Sequence, residues 1–165
     1  MKLSLVTAIS AAFLLALGQR APAEDLASSI VGVWKYTGQH IKEVASGKID
    51  YPLGQNPTGQ LVYTKGGHIV SVFAGDNRKA PASPAFTDAE RITLFNTMAA
   101  LSGTYKVEGN TLTVTYTTSW NQTWTGTTQK RQIEIAGNKL TITSAPFKNE
   151  QGQDAIFVVT LERVE

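Results

Sequence analysis

The feature of this sequence that most constrains its fold is a repeated alternation of apolar and polar residues over short segments. Thr111–Thr118 shows it most clearly, because Leu112, Val114 and Tyr116 alternate with threonines. Successive side chains of a strand point to opposite faces, so this pattern predicts a half-buried strand. Similar segments are Val31–Gln39, Gln60–Lys65, His68–Ala74, Thr104–Glu108, Thr128–Ile135, Lys139–Ser144 and Ala155–Arg163. About eight strands are enough for a closed barrel that holds one small ligand.

Tight glycine-containing links join several neighbouring segments. They are Gly66-Gly67, Gly109-Asn110 and Gly137-Asn138. Glycine and asparagine tolerate the positive φ angles that short hairpin turns require. We therefore predict an all-β fold, an up-and-down antiparallel β-barrel of about eight strands with one short helix.

The predicted helix lies in the middle of the chain. Thr87 can cap it, and Glu90, three positions later, completes a capping box. Its apolar face would contain Ile92, Phe95, Met98 and Ala99. We expect the helix to end near Ser102-Gly103. The Pro- and Ala-rich connection before it, residues 75–86, is too long for a hairpin turn. Connection and helix either cover one end of the barrel as a lid or pack only on its outside.

The N-terminus has the pattern of a secretory signal peptide. Lys2 gives a positive start, Leu3–Leu17 is almost entirely apolar, and Ala21-Pro22-Ala23 offers small residues at a cleavage site. We expect residues 1–23 to be removed, which leaves 24–165 as one barrel domain in the periplasm or outside the cell. The alternative is a membrane anchor, but the apolar stretch is shorter than the roughly 20 residues that a spanning helix needs.

Charge and cysteine content narrow the possible partners. The chain has 15 basic and 13 acidic side chains, and Lys2 and Arg20 would leave with the signal peptide. The remaining chain is near neutral and has no basic run, so we expect neither nucleic acid nor an anionic membrane as a partner. Because the chain contains no cysteine, disulfides, thiol catalysis, thiolate metal sites and a lipoprotein anchor are excluded. The sequence leaves the oligomeric state open.

Several motifs follow one another along the chain in a recognisable order. They are Gly32-Val33-Trp34, Tyr51-Pro52-Leu53-Gly54, Gly59-Gln60-Leu61-Val62-Tyr63-Thr64 with Gly67, Gly103-Thr104-Tyr105-Lys106-Val107, Trp124-Thr125-Gly126-Thr127, and Arg131. In these motifs the chain from Ile30 to about Val164 resembles the bacterial lipocalin-like domain family, small barrels related to the lipocalins. The resemblance implies the fold and says little about activity, because members differ in function. Many members have a histidine in the strand matched here by Leu112–Tyr116, where this chain has none.

Arg131 is the leading candidate for contact with a ligand. On the strand Thr128–Ile135 it shares a face with Gln129, Ile133 and Ile135, and the isoleucines mark that face as the inner one. A buried guanidinium needs an acceptor. That acceptor is an internal carboxylate, a set of carbonyls, or an anionic or carbonyl-bearing ligand. Alternatively, the arginine closes one end of the barrel by stacking on Trp34. Arg163 competes for the stacking role.

Further candidate ligand-binding residues are aromatic or polar side chains on predicted inner faces or at the barrel mouth. They are Tyr36 and His40, which are an even number of positions from Trp34 and therefore lie on the same strand face, together with Tyr63, Tyr105, Tyr116, Trp120 and Trp124. Aromatic linings with a few hydroxyl groups are typical of small-molecule pockets. Each tyrosine could instead be a core residue, and the two tryptophans could form a rim over the mouth or simply hold their loop.

The sequence contains few candidate catalytic residues and no catalytic motif. The two histidines, His40 and His68, have no zinc-type spacing, and the chain has neither a Gly-x-Ser-x-Gly elbow nor a phosphate-binding glycine loop. We therefore expect no metal and no cofactor. The first hypothesis is a protein that binds a small apolar or amphipathic ligand. The alternatives are a cofactor-independent isomerase, cyclase or lyase that uses His40 or a tyrosine with Arg131, and a protein-binding or inhibitor barrel.

Overall fold

A computed structural model describes residues 25–76 and 78–165, so the predicted signal peptide lies outside the described residues. The helices are α1 (Leu26–Ser29) and α2 (Asp88–Asn96), with a 3-10 helix at Gln122–Trp124. The strands are β1 (Gly32–Glu43), β2 (Ile49–Asp50), β3 (Thr58–Tyr63), β4 (His68–Ala74), β5 (Met98–Glu108), β6 (Thr111–Ser119), β7 (Thr128–Ala136), β8 (Lys139–Ser144), β9 (Phe147–Lys148) and β10 (Asp154–Arg163). Among the described residues, no helix combines the length and apolar character needed to cross a bilayer.

Eight of these strands form a closed antiparallel barrel. The pairing runs in the order β1-β3-β4-β5-β6-β7-β8-β10, and β10 pairs back onto β1. The two-residue strands β2 and β9 pair with the ends of β1 and β10. This is the up-and-down barrel predicted from the alternating segments, and each predicted segment coincides with one of the eight strands. The hairpin turns are confirmed as well, with φ of 77° at Gly67 and 60° at both Gly109 and Gly137.

The predicted helix is correct at its start and wrong at its end. Thr87 and Glu90 form the expected capping box, but α2 stops at Asn96. The residues from Met98 onward instead belong to β5, where they pair with β4 in a register that joins Met98 to Ala74. Pairing between distant strands has overridden the local helical pattern. The predicted apolar face is also wrong, because Ile92 and Phe95 remain 61% and 52% exposed.

A β-bulge in β1 changes which side chains face the interior. Trp34 and Tyr36 alternate inward as predicted, but the pairing of β1 with β10 then skips Thr37. A bulge inserts one extra residue and shifts the alternation by one position. Gln39 is therefore buried in the barrel where parity alone had placed His40 inside.

One end of the barrel is closed by α1, Trp34 and Arg163. The Trp34 ring is fully buried, and its Nε1 donates a hydrogen bond to the Ile30 carbonyl at 2.8 Å. The Arg163 guanidinium lies 4.2 Å from the centre of that ring and donates to the carbonyls of Ser29 and Val31. Gly32 fits here because its φ is 139° and because a Cβ at this position would collide with the Glu165 carbonyl oxygen and the Arg163 guanidinium. The stacking role belongs to Arg163, so Arg131 does not perform it.

Candidate ligand-binding cavity

A cavity of about 250 Å³ lies inside the barrel, toward the end opposite Trp34 and Arg163. Its lining includes Pro52, Asn96 and Trp120 from the connections at that end, so the cavity reaches the barrel mouth there. Most of its wall is apolar. The principal aliphatic residues are Leu61, Ile69, Leu112, Val114, Ile142 and Val159. The C-terminal end of α2 thus lies at the mouth, through Asn96.

Arg131 lines this cavity from β7, on the face that parity predicted. Its Nη2 donates to Gln129 Oε1 at 2.6 Å and to the Tyr116 hydroxyl at 3.4 Å. Among the described residues, no carboxylate lies within ion-pair distance of its guanidinium. The internal ion pair considered from sequence is therefore not formed, and the arginine retains unused hydrogen-bonding capacity.

Three of the predicted tyrosines line the cavity. Tyr36 shares a 2.8 Å hydrogen bond with Ser71 Oγ, and its ring stacks on Phe73 with centroids 4.4 Å apart. Burial raises the pKa of Tyr36 well above its ordinary value, against an opposing contribution from the Ser71 hydrogen bond. Burial also raises the pKa of Tyr63. Tyr116 is the third tyrosine in the cavity lining. At neutral pH the Tyr36 and Tyr63 hydroxyls are protonated, so both phenols can donate hydrogen bonds.

Two predicted site residues lie outside the cavity lining. The Tyr105 hydroxyl donates to the Thr64 carbonyl at 2.8 Å, and its ring packs edge-on against Tyr63. His40 lies beyond the bulge, with its ring 5.9 Å from that of Tyr51. Partial burial lowers the pKa of His40, and nearby Lys42 lowers it further. The Tyr105 ring packs against the core beside Tyr63, on the inner side of β5, but does not reach the cavity lining. The inward orientation expected for His40 is wrong, because the bulge turns Gln39 inward instead.

Trp120 and Trp124 stand together at the mouth. Their rings meet edge-to-face with centroids 5.0 Å apart, and both line the cavity. The Trp124 ring also stacks on Tyr116 at 5.8 Å. The loop itself is held by the 3-10 helix and by a backbone hydrogen bond from Trp120 to Ala100 at 2.8 Å. The tryptophans thus both fix their loop and form part of the cavity wall.

Gln39 stands out among the polar lining residues that sequence reasoning missed, which also include Ser71 and Asn96. It is only 3% exposed, and its Oε1 is buried with no hydrogen-bond partner. A buried amide oxygen without a partner is costly in a native protein. Simple alternation pointed to His40 instead. The one available signal was Gly38, because a glycine inside a strand often marks a bulge.

A second cavity adjoins the first at the mouth. The two share Trp124, Arg131 and Phe157, and the second extends along Ala145–Phe147 before β10. Arg131 therefore lies where the interior of the barrel meets this outer groove. A molecule bound to its guanidinium could extend either inward or along the groove.

Comparison with protein families agrees with the architecture. A family model described as a lipocalin-like domain matches residues 31–164. The chain belongs to this family. A crystal structure of an uncharacterized protein from Bacteroides eggerthii DSM 20697 is similar to this lipocalin-like domain at 14% identity, covering 78% of this chain and 98% of the other, with a TM-score of 0.36. No curated protein matches the chain.

The lining of this lipocalin-like cavity combines an apolar wall with a small set of polar groups. These are the Arg131 guanidinium, the tyrosine hydroxyls, and the side chains of Gln39, Ser71 and Asn96. Within 25–76 and 78–165, no group of three or more His, Cys, Asp or Glu residues is placed to hold a metal ion. The polar groups are suited to hydrogen bonding with a small molecule that is otherwise surrounded by apolar surface.

Proposed function

We propose that this lipocalin-like protein binds a small apolar or amphipathic molecule inside its barrel. The observation that carries the proposal is the apolar-lined cavity with the Arg131 guanidinium on its wall, to which no carboxylate of residues 25–76 or 78–165 is paired. Arg163 differs, because both of its Nη atoms donate to backbone carbonyls and its guanidinium lies over the Trp34 ring. The N–H groups of Arg131 that the chain leaves unpaired are available to an acceptor on a ligand in the cavity.

The size of the cavity limits the ligand. An engineered apolar cavity of about 150 Å³ is large enough for benzene. A volume of about 250 Å³ therefore fits one ring with several further atoms, and the adjoining groove offers room for an extension. Small monocyclic compounds fit this space better than sterols or long acyl chains.

The polar groups of the cavity favour binding over proton transfer. A general base must lie within hydrogen-bond reach of the reacting proton. His40, the base considered from sequence, lies outside the lining, and burial keeps Tyr36 and Tyr63 protonated at neutral pH. A protein-binding barrel, the remaining alternative, is expected to have a filled interior, whereas this interior holds a cavity.

A matched pair of variants tests the proposal. Ala99 is buried and lines the cavity, so Ala99→Leu should fill part of it; Ala100, its neighbour, is not in the lining. The protein and both variants would be purified under native conditions from their own host, and small molecules extracted for mass spectrometry. We expect one compound with wild type and Ala100→Leu, and its loss with Ala99→Leu. Equal recovery from all three, or no bound compound in any, would contradict the proposal.

We also propose that the protein acts after export. The motivation is the charged start, apolar stretch and small-residue cleavage site in residues 1–23. N-terminal sequencing of protein from a periplasmic fraction should then begin at Glu24. Recovery of the chain with Met1 intact from the cytoplasm would contradict this assignment.

A further inference from the structure

We propose that the ligand is a small cyclic organic acid that carries a hydrogen-bond donor, a hydroxyl or N–H group, at the end remote from its carboxylate. In this assignment the carboxylate binds Arg131 and the donor binds Gln39. The inference rests on the proposed binding function and deepens it, because it names two recognition points on the cavity wall. Its test below separates failure of the inference from failure of ligand binding itself.

Gln39 supplies the first recognition point. Its side chain lines the cavity, is 3% exposed, and has an Oε1 atom without a partner. The bulge at Thr37 turns this amide inward, although apolar residues occupy most of the surrounding wall. An orphaned acceptor inside a protein is satisfied by a donor that arrives with a ligand or a water molecule. A ligand hydroxyl or N–H group at this position would complete the missing hydrogen bond.

Arg131 supplies the second point. Both of its observed hydrogen bonds leave from Nη2, toward Gln129 and Tyr116. A guanidinium has five N–H donors arranged as a planar fork, and a carboxylate accepts two of them side by side. The Tyr116 hydroxyl accepts from Arg131, which leaves its own proton to donate to the same carboxylate. Arg131 and Tyr116 together therefore form a cationic site that can donate hydrogen bonds to an anionic group.

The barrel places the two points on different walls. Gln39 is on β1 and Arg131 is on β7, and β10 and β8 lie between these strands on the shorter way around the barrel. A single ligand must cross the cavity to reach both. On the way it meets aromatic surfaces, the stacked pair Tyr36 and Phe73 and the stacked pair Tyr116 and Trp124. A flat ring between the carboxylate and the donor matches this arrangement, since aromatic faces favour stacked or edge contacts with rings.

A matched set of probes tests the assignment. 4-Hydroxycinnamate has the acid, the ring and the remote donor; cinnamate lacks the donor; methyl 4-hydroxycinnamate lacks the acid. The neutral fluorophore 1-aminoanthracene, whose fused rings are long enough to extend from the cavity into the adjoining groove, reports whether the open end accepts apolar molecules at all. Dissociation constants would be measured by calorimetry, or by displacement of the fluorophore, for wild type and for the variants below.

The variants isolate one recognition point each. Gln39→Leu removes the acceptor, and Gln60→Leu, on the exposed face of β3, is its control. Arg131→Met removes the cation, and Lys106→Met, on the exposed face of β5, is its control. Gln39→Leu should fold at least as stably as wild type, with no fall in melting temperature, because it replaces an unsatisfied buried amide with an apolar group. A structural role for Gln39 predicts the opposite.

In wild type we expect 4-hydroxycinnamate to bind about tenfold or more tightly than cinnamate, which corresponds to one well-formed hydrogen bond. Gln39→Leu should abolish that preference, and Arg131→Met should weaken both acids while sparing the ester; the two controls should change nothing. If cinnamate binds as tightly as 4-hydroxycinnamate, or if the preference survives in Gln39→Leu, the inference is wrong. If only 1-aminoanthracene binds, the inference fails and the proposed function stands. If no probe binds and Gln39→Leu loses stability, both fail.

Discussion

The two ends of the barrel each contain an arginine beside an aromatic ring, and they differ in what those arginines bind. At the closed end the Arg163 guanidinium stacks on Trp34 and donates to two backbone carbonyls, while the indole donates to a third. At the open end Arg131 bonds only through Nη2, and Gln39 holds an acceptor with no partner. At the closed end, both Nη atoms of Arg163 and the Trp34 indole N–H bind backbone carbonyls of the chain itself. At the open end, part of the hydrogen-bonding capacity of Arg131 and Gln39 remains available to another molecule.

This difference shows how one small barrel can combine stability with binding. Buried polar groups that are fully hydrogen-bonded rigidify a structure, whereas unsatisfied ones lower its stability. Because hydrogen-bonded polar groups stabilise the closed end, the chain can tolerate polar groups with unused hydrogen-bonding capacity at the open end. Because the protein has no disulfide, packing and hydrogen bonds at the closed end must supply much of what holds the barrel together.

The largest effect should come from removing the ring that seals the closed end. Trp34→Ala deletes a fully buried indole and should cost about 3 to 5 kcal/mol of unfolding free energy, because it leaves a large cavity. Trp120→Ala at the open end, where the ring is only partly buried, should cost roughly half as much. Urea unfolding followed by circular dichroism measures both. Equal losses for the two variants would contradict the proposed difference between the ends.

A smaller effect should separate the two arginines. Arg163→Met removes a cation–π contact and the donors to Ser29 and Val31, and should lower the unfolding free energy by about 2 kcal/mol. Arg131→Met loses only bonds to Gln129 and Tyr116, and should change the stability of the ligand-free protein by less than about 1 kcal/mol. Urea unfolding followed by circular dichroism would measure the unfolding free energy of both variants. A larger loss of unfolding free energy for Arg131→Met than for Arg163→Met would identify Arg131 as the structural arginine.

The smallest effect concerns alkaline pH. Burial raises the pKa of Tyr63 above its ordinary value of 10.0, so the folded state keeps a proton that the unfolded chain releases. Stability is then fully present below pH 10 and declines above it, by up to about 1.4 kcal/mol per pH unit for each such tyrosine. Tyr63→Phe should reduce this slope, and Tyr51→Phe, at an exposed residue, should not. Unfolding titrations at several pH values between 9 and 11 would measure it; identical slopes for all three proteins would contradict the assignment.

The fold was predictable because its signals are local. Alternation fixed the faces of strands such as β6 and β7, and glycines marked the hairpins at Gly67, Gly109 and Gly137. The position of Arg131 followed from the same argument, since a shift of one residue would have turned Ile133 outward. The capping box located the start of α2 for a similarly local reason.

What sequence reasoning missed depends on contacts between distant segments. The end of α2 was misplaced because Met98 and Ala99 pair with β4, an interaction that local helical periodicity does not reveal. His40 and Gln39 were exchanged because the bulge in β1 depends on its register with β10. The absence of a carboxylate beside Arg131 could not be read from alternation either, since it depends on side chains from other strands.

The central claim, that the open end binds the ligand and the closed end does not, can be tested with the three tryptophans of the chain. Trp34 lies at the closed end, while Trp120 and Trp124 line the cavity mouth. Their indole N–H signals in a ¹H–¹⁵N correlation spectrum, assigned with single Trp→Phe variants, would be followed while 1-aminoanthracene or the extracted compound is added. The account predicts saturable shifts of the Trp120 and Trp124 signals with the Trp34 signal unmoved. Binding that shifts Trp34 and leaves the other two unchanged would contradict it.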